Sequence, residues 1–232
     1  MPIKGFVKMS LIDYPGKTSS VIFLGGCNFR CPFCQNPDLI DDVNNIPTIP
    51  EEEVINYLKE KKKWIDGVCI GGGEPTLEKN LIEFIEKIKS LGFLVKLDTN
   101  GSNPEILKEL IDKKLLDFIA MDIKSSPNRY SEASGVEIDI EKIKSSANLV
   151  RNSGLEYEFR STVLPKLFSK NDAKSVGEWL KGSKIFFLQQ FRAEITLDKS
   201  YEKEFTYSKE ELKELQEIMK PYFDRVEIRL NQ

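Results

Sequence analysis

The sequence predicts an α/β fold of parallel strands covered by helices, and three observations carry that prediction. Short apolar runs of strand length alternate with helix-period patterns along the whole chain. The runs are nearly continuous in apolar residues, as in strands buried on both faces. At about 35 residues per strand–helix unit, six units use roughly 210 residues, against about 250 for a closed eightfold barrel. A doubly wound open sheet and an incomplete barrel both fit that rhythm. With 232 residues, 40% of them hydrophobic, the chain has material for a sizeable core.

The strand runs fall at 20–24, 67–71, 93–98, 116–122, 157–163 and 185–190, and a seventh at 225–230 closes the chain. Between them, Leu81, Ile82, Ile85 and Ile88 share one helical face, as do Ile106, Leu107, Leu110 and Ile111. Pro50 followed by Glu51, Glu52 and Glu53 puts negative charge at a helix N-terminus, where the dipole favours it. Asn103 before Pro104 offers a capping side chain ahead of a first-turn proline, and Ser208 with Glu211 forms a capping box. Three long polar stretches, 35–48, 125–137 and 192–207, each follow a strand. They should gather at the C-terminal face of the sheet, where α/β proteins place their sites.

Composition narrows the chemistry. The chain has no histidine, which removes His-based zinc sites, Ser-His-Asp triads and Cys-His dyads. A net charge of −3 argues against broad electrostatic binding of nucleic acid. No apolar run approaches the roughly 18–20 residues of a membrane span, and the N-terminus lacks a signal-peptide core. The expectation is a soluble, cytoplasmic protein. Three of the four cysteines lie in Cys27-Asn28-Phe29-Arg30-Cys31-Pro32-Phe33-Cys34, a C-x3-C-x2-C loop behind Gly25-Gly26 after the first strand. One disulfide cannot satisfy three such thiols, whereas close-set thiolates are metal ligands. Structural zinc needs four ligands and the only further thiol is Cys69, inside Val68-Cys69-Ile70, where it also reads as a small buried hydrophobe. With three ligands, a [4Fe–4S] cluster keeps one iron open for a substrate or cofactor.

Further strand ends carry polar groups. One is Leu97-Asp98-Thr99-Asn100-Gly101 and the next is Met121-Asp122-Ile123-Lys124, and each aspartate taken alone reads equally well as a turn residue. Arg160 lies within a strand, so it either finds a partner or faces solvent.

The cysteine loop, with Val68-Cys69-Ile70 running into Gly71-Gly72-Gly73-Glu74-Pro75 one unit later, resembles the radical S-adenosylmethionine (SAM) superfamily. The resemblance spans roughly 19–190 and implies a partial (β/α)6 TIM-type barrel in a single domain 1–232, with helix and strand 208–230 appended. It implies a [4Fe–4S] cluster on Cys27, Cys31 and Cys34, and SAM as cofactor. Reductive cleavage of SAM then gives a 5′-deoxyadenosyl radical that abstracts hydrogen. By the same resemblance Phe33 contacts the adenine, and Gly72, Gly73 and Glu74 receive the methionine ammonium. Asp98, Asp122, Lys124, Arg160 and Gln190 become cofactor contacts, Lys124 with a substrate role as its alternative. No side chain is assigned a catalytic role.

The paired strand ends look like the pyruvate formate-lyase activating enzymes, which implies that Asp98, Thr99 and Asp122 hold a monovalent cation beside the cofactor carboxylate. The sixth-strand end, Gln189-Gln190, departs from that group, which has a histidine there. Ser10-Leu11-Ile12-Asp13-Tyr14-Pro15-Gly16 resembles the activating proteins of anaerobic ribonucleoside-triphosphate reductase. The function so implied is hydrogen abstraction from a glycine of a partner glycyl radical enzyme, with flavodoxin or ferredoxin as electron donor. The alternatives are radical chemistry on a small molecule or RNA, and a non-catalytic four-cysteine metal-binding module.

Overall fold

The computed structural model describes residues 1–230. Eight strands form one sheet in chain order: β1 (Ile3–Ser10), β2 (Ser19–Leu24), β3 (Gly67–Gly72), β4 (Leu94–Thr99), β5 (Phe118–Asp122), β6 (Glu156–Val163), β7 (Ser183–Gln190) and β8 (Phe223–Arg229). From β2 to β8 every neighbouring pair is parallel, and β1 runs antiparallel to β2. The sheet is open, with β1 and β8 at its edges. Its parallel part therefore has one strand more than the sixfold pattern. β8, expected as an appendage, continues the sheet beside β7.

The helices are α1 (Asp38–Asp41), α2 (Glu51–Lys61), α3 (Leu81–Ser90), α4 (Pro104–Asp112), α5 (Tyr130–Ser134), α6 (Ile140–Asn152), α7 (Lys170–Trp179) and α8 (Lys209–Met219). The predicted helix faces are the buried ones. Leu81, Ile85 and Ile88 of α3, with Leu107 and Leu110 of α4, enter the main core. Asn103 Oδ1 accepts from Ile106 N at 3.4 Å, and the Ser208–Glu211 capping box forms in both directions.

Strand alternation sorts residues onto two faces. Val68 and Ile70, Val95 and Leu97, and Ile119 and Met121 face the helices in the main core. Their neighbours Cys69, Phe118 and Ala120 face inward, where they join Tyr14 and Val21 in a second, smaller cluster. Tyr14 packs edge-on against Phe118 with ring centroids 5.9 Å apart. The Asp13–Gly16 turn therefore does more than reverse the chain: it plugs the inner face near the strand N-termini. Further along, that face turns from apolar to charged.

One helix start makes a measurable contribution. Asp172, buried in the first turn of α7, shares a capping box with Ser169 and accepts from Ser126 Oγ at 2.5 Å and Arg129 Nη1 at 3.0 Å. Burial works to raise its carboxyl, but the serine hydrogen bonds and the Arg129 guanidinium outweigh burial and hold it below the usual range. A depressed carboxyl stabilises the fold above its unfolded pKa and loses that contribution as pH falls through the folded value. Asp172→Asn is therefore expected to cost about 1–2 kcal/mol at neutral pH. The gap to the parent chain should narrow below about pH 4 in urea unfolding monitored across pH.

Candidate active site

A cavity of about 470 Å³ opens at the C-terminal ends of the parallel strands. Cys27, Cys31 and Cys34 line one side of it, Gly72 and Gly73 another, and Asp98, Asp122, Lys124 and Arg160 a third. The cysteine loop is held from several directions. Gly26 N donates to Leu39 O at 2.7 Å, Arg30 N to Ser134 O at 2.8 Å, Leu197 N to Cys34 O at 3.1 Å and Asp198 N to Pro32 O at 3.0 Å. The three polar stretches thus converge on this loop, and 192–207 braces it through backbone pairing. Phe29 and Phe33 are buried beneath it, and both also line the cavity.

The glycine run at the end of β3 is explained by close approach. Gly73 N donates to Leu24 O, and Glu74 N to Gly26 O, both at 2.8 Å. A Cβ on Gly73 would fall 1.9 Å from the Gly26 carbonyl oxygen. Gly73→Ala must therefore push the cysteine loop away from β3. The expected result is a loss of about 2–3 kcal/mol in thermal unfolding, together with loss of cluster incorporation in the variant that remains folded.

All four cysteines are free thiols. Burial pushes the Cys31 thiol up to about 12, and it raises Cys27 despite the hydrogen bond from Phe29 N to its sulfur at 3.3 Å. Buried thiols of this kind ionise when metal binding supplies the compensating charge. Among the described residues, no three His, Cys, Asp or Glu side chains converge on a point that would hold a single ion. Cys69 also lines the cavity, but it is buried three residues short of the end of β3, about 10 Å down the strand, in the environment of Lys96, Asp98 and Ser19. The four-thiolate zinc reading gains no support from this arrangement. Three thiolates around one cavity fit a cluster, in which each binds a different iron.

The structure turns two of the expected contact side chains away from the cavity. Glu74 is buried away from the cavity, and its carboxylate is fully engaged by Thr76 N (3.1 Å), Thr76 Oγ1 (2.5 Å), Thr99 Oγ1 (2.7 Å) and Asn100 N (2.6 Å). It ties the end of β3 to the end of β4, leaving the glycine backbone as the part of that motif facing the cavity. Gln190 points off the inner face and donates to Tyr207 O at 2.8 Å. Gln189, one residue earlier and so on the opposite face, lines the cavity instead. Asn100 was not singled out from sequence. Its Nδ2 lies 3.0 Å from Asn28 Oδ1 and 3.8 Å from Cys27 Sγ, linking the β4 end to the cysteine loop.

Asp98 and Asp122 meet across β4, β5 and β6 through Arg160, which therefore has partners and does not face solvent. Arg160 Nε donates to Asp122 Oδ1 at 2.5 Å and Nη2 to Asp98 Oδ2 at 3.1 Å. Lys124 Nζ sits 3.0 Å from Asp122 Oδ2, and Lys96 Nζ bonds Asp98 Oδ1. Burial works against both carboxylates, but Arg160 and the lysines prevail and hold them below the usual carboxylate range. Thr99 is turned to Glu74. The monovalent cation implied by resemblance does not fit these residues, because the carboxylates are already neutralised from within the chain.

The profile of the radical SAM superfamily matches residues 21–173. A Methanocaldococcus jannaschii protein, provisionally named a glycyl-radical enzyme activating enzyme, is 37% identical over 232 residues, covering 98% of this chain and 95% of its own. The pyruvate formate-lyase-activating enzyme of Clostridium pasteurianum is 28% identical over 189 residues, 77% of this chain and 76% of that one. Streptococcus suis SuiB bound to its precursor peptide SuiA superimposes with a TM-score of 0.68 at 17% identity, over 91% of this chain and 48% of that one. A domain of the pyruvate-formate lyase-activating enzyme of Bacteroides vulgatus gives 0.56 at 18%, over 72% and 99% respectively. At those identities the two structures speak for the partial-barrel fold. A family profile over most of the chain and a relative matched nearly end to end agree: this chain is an enzyme of the radical SAM superfamily, on its glycyl-radical-enzyme-activating branch.

Proposed function

We propose that this protein cleaves SAM reductively and removes a hydrogen atom from a glycine Cα of a partner glycyl radical enzyme, an anaerobic ribonucleotide reductase. The observation that carries the chemistry is three free cysteines on one loop at the cavity, with the fourth, which also lines it, set three residues down β3 from that strand's end. The N-terminal motif 10–16 favours the ribonucleotide reductase as partner.

Cys27, Cys31 and Cys34 would hold the cluster, which when bound supplies the electron for cleavage and an open iron for the amino-acid end of SAM. Gly72 and Gly73 present backbone where a side chain would block the approach. Phe33 offers a buried ring to the adenine. Lys124 and Arg160 place fixed positive charge beside the cavity, suited to a carboxylate. The buried Phe29 and Phe33 exclude water from the cysteine side, which protects a reactive radical. The electron itself comes from outside, from flavodoxin or ferredoxin. No helix of the described residues is long and apolar enough to cross a membrane.

The test is anaerobic. Protein reconstituted with iron and sulfide should yield 5′-deoxyadenosine from SAM and dithionite. Adding the reductase should produce the electron paramagnetic resonance doublet of a glycyl radical. A protein that binds one zinc and forms no deoxyadenosine would overturn the chemistry. Deoxyadenosine without the doublet would overturn the partner.

A further inference from the structure

We propose that Lys96, together with Arg160 and Lys124, takes the place of the monovalent cation at the β4 and β5 ends, so that this chain binds SAM without one. The proposal rests on the radical SAM reading and concerns how the cofactor's carboxylate is balanced.

Lys96 stands two residues before Asp98 on β4, so both side chains project from the same inner face. It is 3% exposed, and its ammonium lies against Asp98. A lysine buried to that extent needs a partner, and Asp98 is the one carboxylate bonded to it among the described residues, with the Phe118 ring 5.9 Å away. The oxygens decide the matter. Asp98 Oδ1 takes Lys96 and Oδ2 takes Arg160, while Asp122 Oδ1 takes Arg160 and Oδ2 takes Lys124. All four carboxylate oxygens thus meet a protein cation. The remaining oxygen of the expected cage, Thr99 Oγ1, donates to Glu74 and accepts from Gly101 N at 3.1 Å. A hard cation requires oxygens that are free to turn toward it.

Behind this group Glu158 is paired with Arg229, at 2.9 and 2.7 Å. Beside the cavity stand three cations, Lys96, Lys124 and Arg160, and three carboxylates, Asp98, Asp122 and Asp13, the last bonded to Ser10 Oγ. Asp98 and Asp122 are thus balanced by cations of the chain itself, and a metal cation that displaced Lys96 would strand a buried ammonium.

The test compares SAM binding by calorimetry to anaerobically reconstituted enzyme in potassium, sodium and tetramethylammonium chloride, with crystals of the same enzyme grown in rubidium chloride. The expected result is one affinity within about twofold in all three salts and no anomalous peak bonded to Asp98 or Asp122. Binding that requires potassium or sodium, or rubidium bridging the two carboxylates, would overturn the proposal. Lys96→Met should create the dependence that the parent chain lacks. Its affinity should fall about tenfold in tetramethylammonium and recover in potassium, whereas an equal loss in every salt would refute the substitute role. If this variant does not fold, the parent salt series decides alone. Should SAM fail to bind in any salt, the radical SAM reading is wrong, and the rubidium map still answers whether a cation sits there.

Discussion

Alanine at Cys27, Cys31 or Cys34 is expected to remove the visible absorption of the reconstituted cluster and to lower 5′-deoxyadenosine formation by more than ~10³-fold, because the reaction has no path without that cofactor. Cys69→Ala should retain both. The difference follows from position: the first three thiols share one loop at the cavity, whereas Cys69, which lines the same cavity, sits three residues down β3 among Val21, Phe118 and Ala120. The cost of Cys69→Ala should appear only in stability, about 1 kcal/mol for the small void it leaves. Iron content, absorbance and product formation measured on all four variants give the comparison. Loss of iron from Cys69→Ala would restore the four-thiolate reading.

Arg160→Met is expected to be the most damaging single change outside the cysteine loop. One guanidinium holds Asp98 and Asp122 together, and its Nη1 also lies 3.8 Å from Glu158. Removing it leaves two half-buried carboxylates without their shared partner, each keeping one lysine, a loss of about 3 kcal/mol. At roughly 2–4 °C per kcal/mol for a chain of this size, thermal unfolding should drop by about 10 °C. Arg160→Lys should recover little of this, since one ammonium cannot present Nε and Nη2 to two carboxylates at once. An unchanged midpoint in both variants would mean that Lys96 and Lys124 suffice to hold the array.

Much of the fold was legible because its signals are local. The inner parallel strands, β2 to β7, appear as apolar runs because most of their residues are buried on both faces, and the faces of α3 and α4 follow from the positions of their leucines and isoleucines. β1 escaped the same reading. It is an edge strand with Lys4, Gly5 and Lys8 along it and only Ile3 fully buried, so no apolar run marks it. Lys4 finds Ile46 O and Thr48 Oγ1 more than forty residues away, contacts that leave no mark nearby in sequence. The apolar residues of the 192–207 segment are scattered among charged ones and form no run, yet its backbone pairs with Pro32 and Cys34.

The site divides along the same line. Sequence by itself determined the cysteine triad, the glycine run beside it and the strand-end aspartates, because each depends on the spacing of a few neighbouring residues. Only the tertiary structure decided that Glu74 braces two strands, that Gln189 and not Gln190 faces the cavity, and that Lys96 reaches Asp98 while Arg160 spans Asp98 and Asp122. Each of these turns on strand phase and on the register between β3, β4, β5 and β6. A shift of one residue exchanges the two faces of a strand, so which oxygen a buried cation meets is set by the assembled sheet.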